Sequence, residues 1–425
     1  MLEFKKKRLS LLSACFLLAL AVALDDIIDD PSLKVAAATP NTRKSFFLYA
    51  VNRGEGFNLN RDVYMRAALT VRRLAQLDSH RTNWFLVLPP WRRLYHWKSN
   101  NVEQKNLPWR KFFDLDALSR FVPVIEFEEY VREKEGNFID EIIYLQHCPI
   151  VDGRWDIKME VKECKERMRY TQDSEGIWRG QYGVSIEFAT RNFHCVSLQG
   201  HPSTIADYVA RTQPRSILFD RFETVVHENH YDKEWWDARR SMVYSAVLIS
   251  EAQRFIFENL PPKKLHSDLG YPYMAVHLRR GDYTLHKRKN LPSLESAAKQ
   301  INRALKETGL DVVFIATDAL EEEINDVRKR VDHRVVLYRP KEDDLKRFGD
   351  GGVAIIDQWI SVNAQHFIGT DPSTFTFRIN EDRSLKGFPP KSTYNAFCGD
   401  GYEDKIGDEE GCHQPHSWPV VSMAK

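Results

Sequence analysis

Glu55 stands between two glycines in RGEGFNLNRDVY, just after the apolar run FFLYAV. A carboxylate on so bare a backbone can be approached closely by a ligand, and a suitably placed carboxylate serves as a proton acceptor. A solvated acid in a tight turn would look the same, so the stretch gains meaning only beside other groups. Three segments of the second half supply them. AVHLRRGD carries His277, Arg279, Arg280 and Asp282 at an expected strand end, and two guanidinium forks there need either phosphate oxygens or acids. DGGVAIIDQW puts Asp357 one turn into an expected helix, where its carboxylate can accept from the amino and imino edge of guanine. In IGTDPSTFTFR, Thr370 and Asp371 precede Pro372, expected in a first helical turn, with Ser373 and Thr374 offering hydroxyls and amides to an anion. Together these residues compose a cleft for a nucleotide diphosphate with an acid on its opposing wall.

The elements that must position them alternate between strand and helix. Apolar runs SFFLYAV, NWFLVLPP, PVIEF and SILFDRF read as strands of the first half, with a helix over 61–77 and one long helix over 233–260. Residues 150–195 are polar and give no clear period. After the break PPKKLHSDLGYP the pattern sharpens into YMAVHLRR, a helix over 292–308, DVVFIATD, a helix over 320–331, RVVLYRP, a helix over 353–365 and FIGT. Strand–helix units of this length imply an α/β architecture of two Rossmann-like lobes, 45–262 and 263–425, with ligands at the carboxyl ends of the strands.

Composition narrows the function further. Lysine plus arginine (61) nearly equal aspartate plus glutamate (60), so no global field favours nucleic acid or anionic lipid. Lys5–Arg8, an apolar run from Leu9 to Leu24 and an Ala-x-Ala at Ala21–Ala23 read as a signal peptide over 1–24, followed by a flexible lead-in over 25–44. The run falls short of the roughly 20 residues that span a bilayer, which argues against stable membrane insertion. In an oxidising compartment the remaining cysteines become candidates for bridges: Cys398 with Cys412 around a Gly/Asp-rich loop and Cys164 with Cys195, leaving Cys148 over. Asp114–Leu115–Asp116 resembles a metal-gripping D-x-D but reads better as a helix cap, and no cysteine–histidine cluster has zinc spacing. PPWRRLYHW is expected to form core and groove wall, and EWWDARR a packed helix with a salt-bridged face.

In this order the strings EGFNLNRDVY, LVLPPWRRLYHW, KEWWDARRSMV, VHLRRGD, FIATDA, DGGVAIIDQWI, FIGT, STFTFRI and TYNAFCGD resemble the protein O-fucosyltransferases, in particular those acting on thrombospondin type 1 repeats. The resemblance implies a GT-B glycosyltransferase with its active site between the lobes. It implies metal-independent, inverting transfer of fucose from GDP-fucose, a co-substrate rather than a cofactor, to serine or threonine of folded, disulfide-bonded repeats in the endoplasmic reticulum lumen. Residue by residue it makes Glu55 the catalytic base and Arg279 the second catalytic residue. It assigns GDP-fucose contacts to Gly54, Glu55, Gly56, Phe57, Asn58, His277, Leu278, Arg279, Asp357, Thr374 and Phe375, no metal ligand, and disulfides to Cys164–Cys195 and Cys398–Cys412. An enzyme acting on epidermal-growth-factor-like repeats, or a non-catalytic repeat-binding quality-control protein, are the alternatives.

Overall fold

The computed structural model describes residues 43–77, 81–134, 136–148, 155–164, 169–182, 186–260, 270–285 and 291–401. The expected signal peptide, most of the lead-in, Cys412 and the expected lobe boundary at 262/263 lie outside the described residues. Arg43 and Lys44, placed by sequence in the lead-in, already belong to the first strand.

Three sheets form. The strands are β1 (Arg43–Tyr49), β2 (Thr82–Leu88), β3 (Val124–Glu126), β4 (Glu141–His147), β5 (Lys158–Val161), β6 (Thr171–Gln172), β7 (Trp178–Tyr182), β8 (Ile186–Thr190), β9 (Asn192–Gln199) and β10 (Ser216–Asp220) in the first half. β11 (Tyr271–Leu278), β12 (Val312–Thr317), β13 (Arg334–Val336), β14 (Ala364–Gly369) and β15 (Asn395–Ala396) make up the second. The first sheet runs β3-β2-β1-β10-β4-β9-β5 and the second β13-β12-β11-β14-β15, while β6–β8 form a small antiparallel sheet. Neighbours are parallel in both large sheets except at β5–β9. Such sheets are covered on both faces, which is why Phe46–Tyr49 of β1 and Tyr273–Val276 of β11 are apolar and buried without a break.

Within the stretch 150–195 the described residues form β5–β8 and the start of β9: β5 is the exposed edge of the first sheet, β9 lies inside it, and a Cys164–Cys195 disulfide joins the loop after β5 to β9. Cys148 is free. The long helix expected over 233–260 is two, Lys233–Ser241 and Ala246–Asn259, because Met242–Ser245 leave helical geometry. The helix expected from Val353 begins at Glu342 and runs to Val362, kinked at Gly349. Asp357 therefore sits well inside it rather than one turn in. Asp114 caps the Leu115–Phe121 helix by accepting from the amides of Asp116 and Ala117.

The two halves are not merely tethered. One hydrophobic core contains Phe47 and Tyr49 of β1, Phe57 and Tyr64 of the Phe57–Leu77 helix, Tyr273 of β11, Phe314 of β12 and Ile356 of the kinked helix. Gly351 and Gly352 permit that continuity: a Cβ at Gly351 would lie 2.7 Å from Trp97 and 2.9 Å from Phe112 of the first half.

Candidate active site

β1 delivers the chain to the Glu55 loop, and the helix that follows starts at Phe57, four residues earlier than periodicity suggested. Phe57 anchors this start, its ring 4.9 Å from Trp91, 5.5 Å from Phe112 and 5.7 Å from Trp97. The Asn60 amide donates to the carbonyls of Glu55 (3.1 Å) and Gly56 (2.8 Å), and the Glu55 amide donates to Asn52 O (3.1 Å). The loop is thus fixed through its backbone while the Glu55 carboxylate has no hydrogen-bond partner among the described residues. Gly54 faces open space, and a Cβ on Gly56 would only touch the His96 ring at 3.4 Å. The bareness suggested by the sequence is therefore real, though no clash enforces it.

Opposite stands the carboxyl end of β11. His277 is buried, and its Nδ1 lies 2.8 Å from Thr376 Oγ1. The single proton of that hydroxyl goes to Thr370 O (2.9 Å), so Nδ1 must be the donor and Nε2 keeps its lone pair. Burial, with the Arg279 charge assisting, pushes His277 down to about 3, so the ring is neutral at physiological pH. Phe375 stacks on it at 4.4 Å and 26°. Thr370 Oγ1 also accepts from the Arg279 amide (3.0 Å) and donates to His277 O (2.9 Å), tying strand end to loop.

Arg279 meets acids rather than an anion. It is paired with Asp282 (2.6 Å) and Asp318 (2.7 Å), and its side chain is 18% exposed. Each acid takes one terminal nitrogen, so three of the five N–H groups remain for a ligand. Arg280 turns away to Glu323 (2.8 Å) and is structural. Leu278 packs its side chain in the core behind the sheet, and neither it nor the exposed Gly54 lines the cleft. Pro372 does not open a helix: Asp371–Pro372 is a cis peptide and the helix begins at Thr374 after an Ser373 cap.

Glu55, Gly56, Phe57 and Asn58 from the first half, and His277, Arg279, Asp357, Thr374 and Phe375 from the second, line one cleft of about 470 Å³. Asp357, mostly buried there, has no partner for its carboxylate among the described residues, and burial pushes it up to about 8 against the opposing pull of Arg339.

Sequence reasoning missed four contributors. Tyr95 and His96 line the cleft from PPWRRLYHW, ring on ring at 3.6 Å; burial lowers His96 and raises Tyr95 from their usual values. Asp318 gave a signal, an acid directly after a strand, that went unused. The fourth is a buried polar seam. Asn58 Oδ1 accepts from Gln358 Nε2 (3.0 Å) and Arg61 (3.1 Å), and Arg61 also reaches Gln358 Oε1 (2.8 Å) and Tyr244 (2.7 Å). Tyr244 donates to Asp382 (3.0 Å), which pairs with Arg239 (2.7 Å), which in turn binds Glu381 (2.7 Å). Arg239, expected on the salt-bridged face of a packed helix, is salt-bridged and among the most deeply buried charges.

Two parallel α/β sheets facing one cleft give the architecture of a GT-B glycosyltransferase, and the crystal structure of POFUT1 in complex with GDP-fucose superposes with a TM-score of 0.53 at 15% identity, covering 85% of this chain and 99% of that one. The family profile of GDP-fucose protein O-fucosyltransferase matches residues 46–386. The human protein named GDP-fucose protein O-fucosyltransferase 2 is 41% identical over 400 residues, covering 89% of this chain and 90% of that one. Its namesake from Caenorhabditis elegans is 39% identical over 416 residues, 93% of each chain. The chain belongs to the GDP-fucose protein O-fucosyltransferase family, and it is an enzyme of that class. Among the described residues no group of three His, Cys, Asp or Glu could hold a metal, and no helix is long and apolar enough to cross a membrane.

Proposed function

We propose that the protein transfers fucose, with inversion and without a metal, from GDP-fucose to serine or threonine of folded thrombospondin type 1 repeats in the endoplasmic reticulum lumen. The observation that carries the reading is the cleft that sets an unpaired carboxylate, Glu55, against Arg279 and the Thr374 helix start. The guanine would give its N–H donors to Asp357, and His277 Nε2 would accept from a ligand hydroxyl or N–H. The diphosphate would take the remaining N–H groups of Arg279 and the amides of Ser373–Phe375, which neutralise charge as the leaving group departs. Glu55 would take the proton from the acceptor hydroxyl on the face opposite the diphosphate; one base so placed gives inversion. The choice of acceptor rests on kinship with relatives named type 2, the type associated with these repeats. The Cys164–Cys195 bridge fits an oxidising compartment.

The test is incubation of the full chain with GDP-fucose and each folded repeat type, with and without chelator, followed by intact mass. One added deoxyhexose on the thrombospondin repeat, chelator-insensitive, is expected. Modification only of the epidermal-growth-factor-like repeat, or of neither, overturns the acceptor assignment. Glu55→Ala should keep GDP affinity while transfer falls at least about a hundredfold; near-normal turnover removes Glu55 as the base.

A further inference from the structure

A second cavity, of about 220 Å³, lies at the carboxyl ends of β1, β2, β10 and β4, on the first half of the molecule. It occupies the position where parallel sheets of this kind bind ligands, beside the strand pair at which the chain order reverses. It is smaller than the roughly 300–1,000 Å³ that small-molecule sites occupy, so it suits a single side chain. The neighbouring cleft, twice as large, is the one suited to a sugar nucleotide.

Its chemistry is one-sided. Arg53, Arg92, Arg169 and Arg221 line it, against one acid, Asp220, while Arg221 is paired behind the wall with Glu223 (3.4 Å). Asp220 is already engaged, accepting from Tyr170 Oη (2.6 Å) and the Arg221 amide (2.8 Å). Arg92 donates through Nη2 to Val51 O, and its Nε and Nη1 have no partner among the described residues. Two further lining residues, Tyr49 and Trp91, carry buried donors, Oη and Nε1, that also lack a partner. Orphaned buried donors are costly, about 1–3 kcal/mol each, and here they gather around positive charge. A ligand bringing acceptor oxygens and negative charge answers all of them.

The cavity adjoins the proposed base. Asn52 and Arg53 of its rim lead directly into the Glu55 loop, and Asn60, which holds the carbonyls of Glu55 and Gly56, forms part of its wall. We propose that this cavity is an acceptor-side subsite that seats an aspartate or glutamate side chain of the polypeptide being modified, and so fixes which hydroxyl meets Glu55. The proposal rests on the function proposed above, yet the cavity is testable apart from it.

The first arm uses small probes on the full chain: N-acetylaspartyl methylamide against N-acetylasparaginyl methylamide, followed by saturation-transfer NMR. The aspartyl probe should bind about tenfold tighter, the range of one charge-assisted hydrogen bond, and Arg92→Met should erase the difference while GDP affinity stays unchanged. Tyr49→Phe removes an unpartnered hydroxyl, so it should fold normally and still weaken the aspartyl probe. Equal binding of the two probes, or a preference indifferent to both variants, overturns the proposal even if wild-type protein fucosylates its repeat. The second arm measures KM for the folded repeat. Arg92→Met should raise it about tenfold with kcat and the KM for GDP-fucose unmoved, and one acidic-to-amide change in the repeat should reproduce the loss without adding to it. Full additivity for every acidic position overturns the acceptor assignment. A charge-selective cavity in a protein that transfers nothing would instead overturn the function and leave the cavity standing.

Discussion

Asp357 offers the sharpest quantitative test, because its state in the free protein opposes the state a guanine needs. Burial holds it up at about 8, whereas accepting two N–H donors from guanine requires the carboxylate. GDP binding at pH 7 must therefore expel a proton. One pH unit below its midpoint about a tenth of the group is ionised, and deprotonation costs about 1.4 kcal/mol. Between pH 7 and pH 9 the GDP dissociation constant should fall about tenfold as that cost disappears. Released protons should number about 0.9 per GDP at pH 7, about 0.5 at pH 8 and about 0.1 at pH 9, read by calorimetry in buffers of different ionisation enthalpy. Three other rings of the cleft stay silent in this window: His277 titrates near 3, His96 is lowered and Tyr95 raised. The second ionisation of the phosphate, near 6, is mostly complete by pH 7. Asp357→Asn should abolish both the proton release and the pH slope, and weaken GDP about tenfold or more at pH 9, the worth of a charged hydrogen bond. The reasoning is refuted if wild-type protein binds GDP at pH 7 without proton release, or if the variant releases the same proton. The linked stability effect has a fixed sign. A folded-state value above the ordinary 3.8 means the free protein gains from this group at low pH and loses that gain as pH rises toward 8. Bound GDP should remove the loss.

Arg279→Ala should damage both GDP affinity and rate, and unchanged values in both would exclude it from the site; Asp318→Asn, which only releases one nitrogen of its fork, should raise the KM for GDP-fucose with a smaller change in kcat. Arg239→Met leaves buried Asp382 with only the Tyr244 hydroxyl and Glu381 with Arg378 alone, so thermal or urea unfolding should show a loss of about 3–5 kcal/mol; a loss under 1 kcal/mol would mean that the polar seam is not closed. Gly351→Ala forces a methyl against Trp97 and Phe112 and should cost about 1–3 kcal/mol while weakening GDP binding through the helix that carries Asp357, with denaturation and GDP titration as the two readouts.

The strands of the second half were legible because β11, β12 and β14 are buried on both faces and leave unbroken apolar runs, each followed by a polar residue with a task. His277 and Arg279 were singled out for that reason, whereas Asp357 was read from an expected helix; all three line the cleft. Helix limits were less legible where geometry overrode period. The kinked helix from Glu342 hides behind a glycine-rich stretch, which reads as a break in sequence but serves in space to let a backbone meet Trp97. Pro372 looked like a helix start because proline favours that position, yet the helix starts at Thr374, with Ser373 before it. Residues 150–195 gave nothing because β5–β8 are only two to five residues each and β5 and β6 are almost wholly exposed, too little chain for a period to show.

The polar seam was illegible for a different reason, and it bears most on how the enzyme works. Arg61, Tyr244, Gln358, Asp382 and Arg239 lie in four separate segments, and nothing local marks any of them as buried. Their pairing is visible only when the halves meet. Once closed, the seam joins the helix that begins beside Glu55 directly to the helix that carries Asp357, through Asn58 and Gln358. Asp350 adds a second latch, accepting from Ser99 and Gln104 across the same interface. Opening the cleft by rotating one half would strand several charges at once, at several kcal/mol each. The expected consequence is that donor and acceptor sites are held at fixed separation, so that GDP binding does not swing the lobes. Small-angle scattering of the free and GDP-bound protein should then give the same radius of gyration, and a contraction on binding would show that the seam yields.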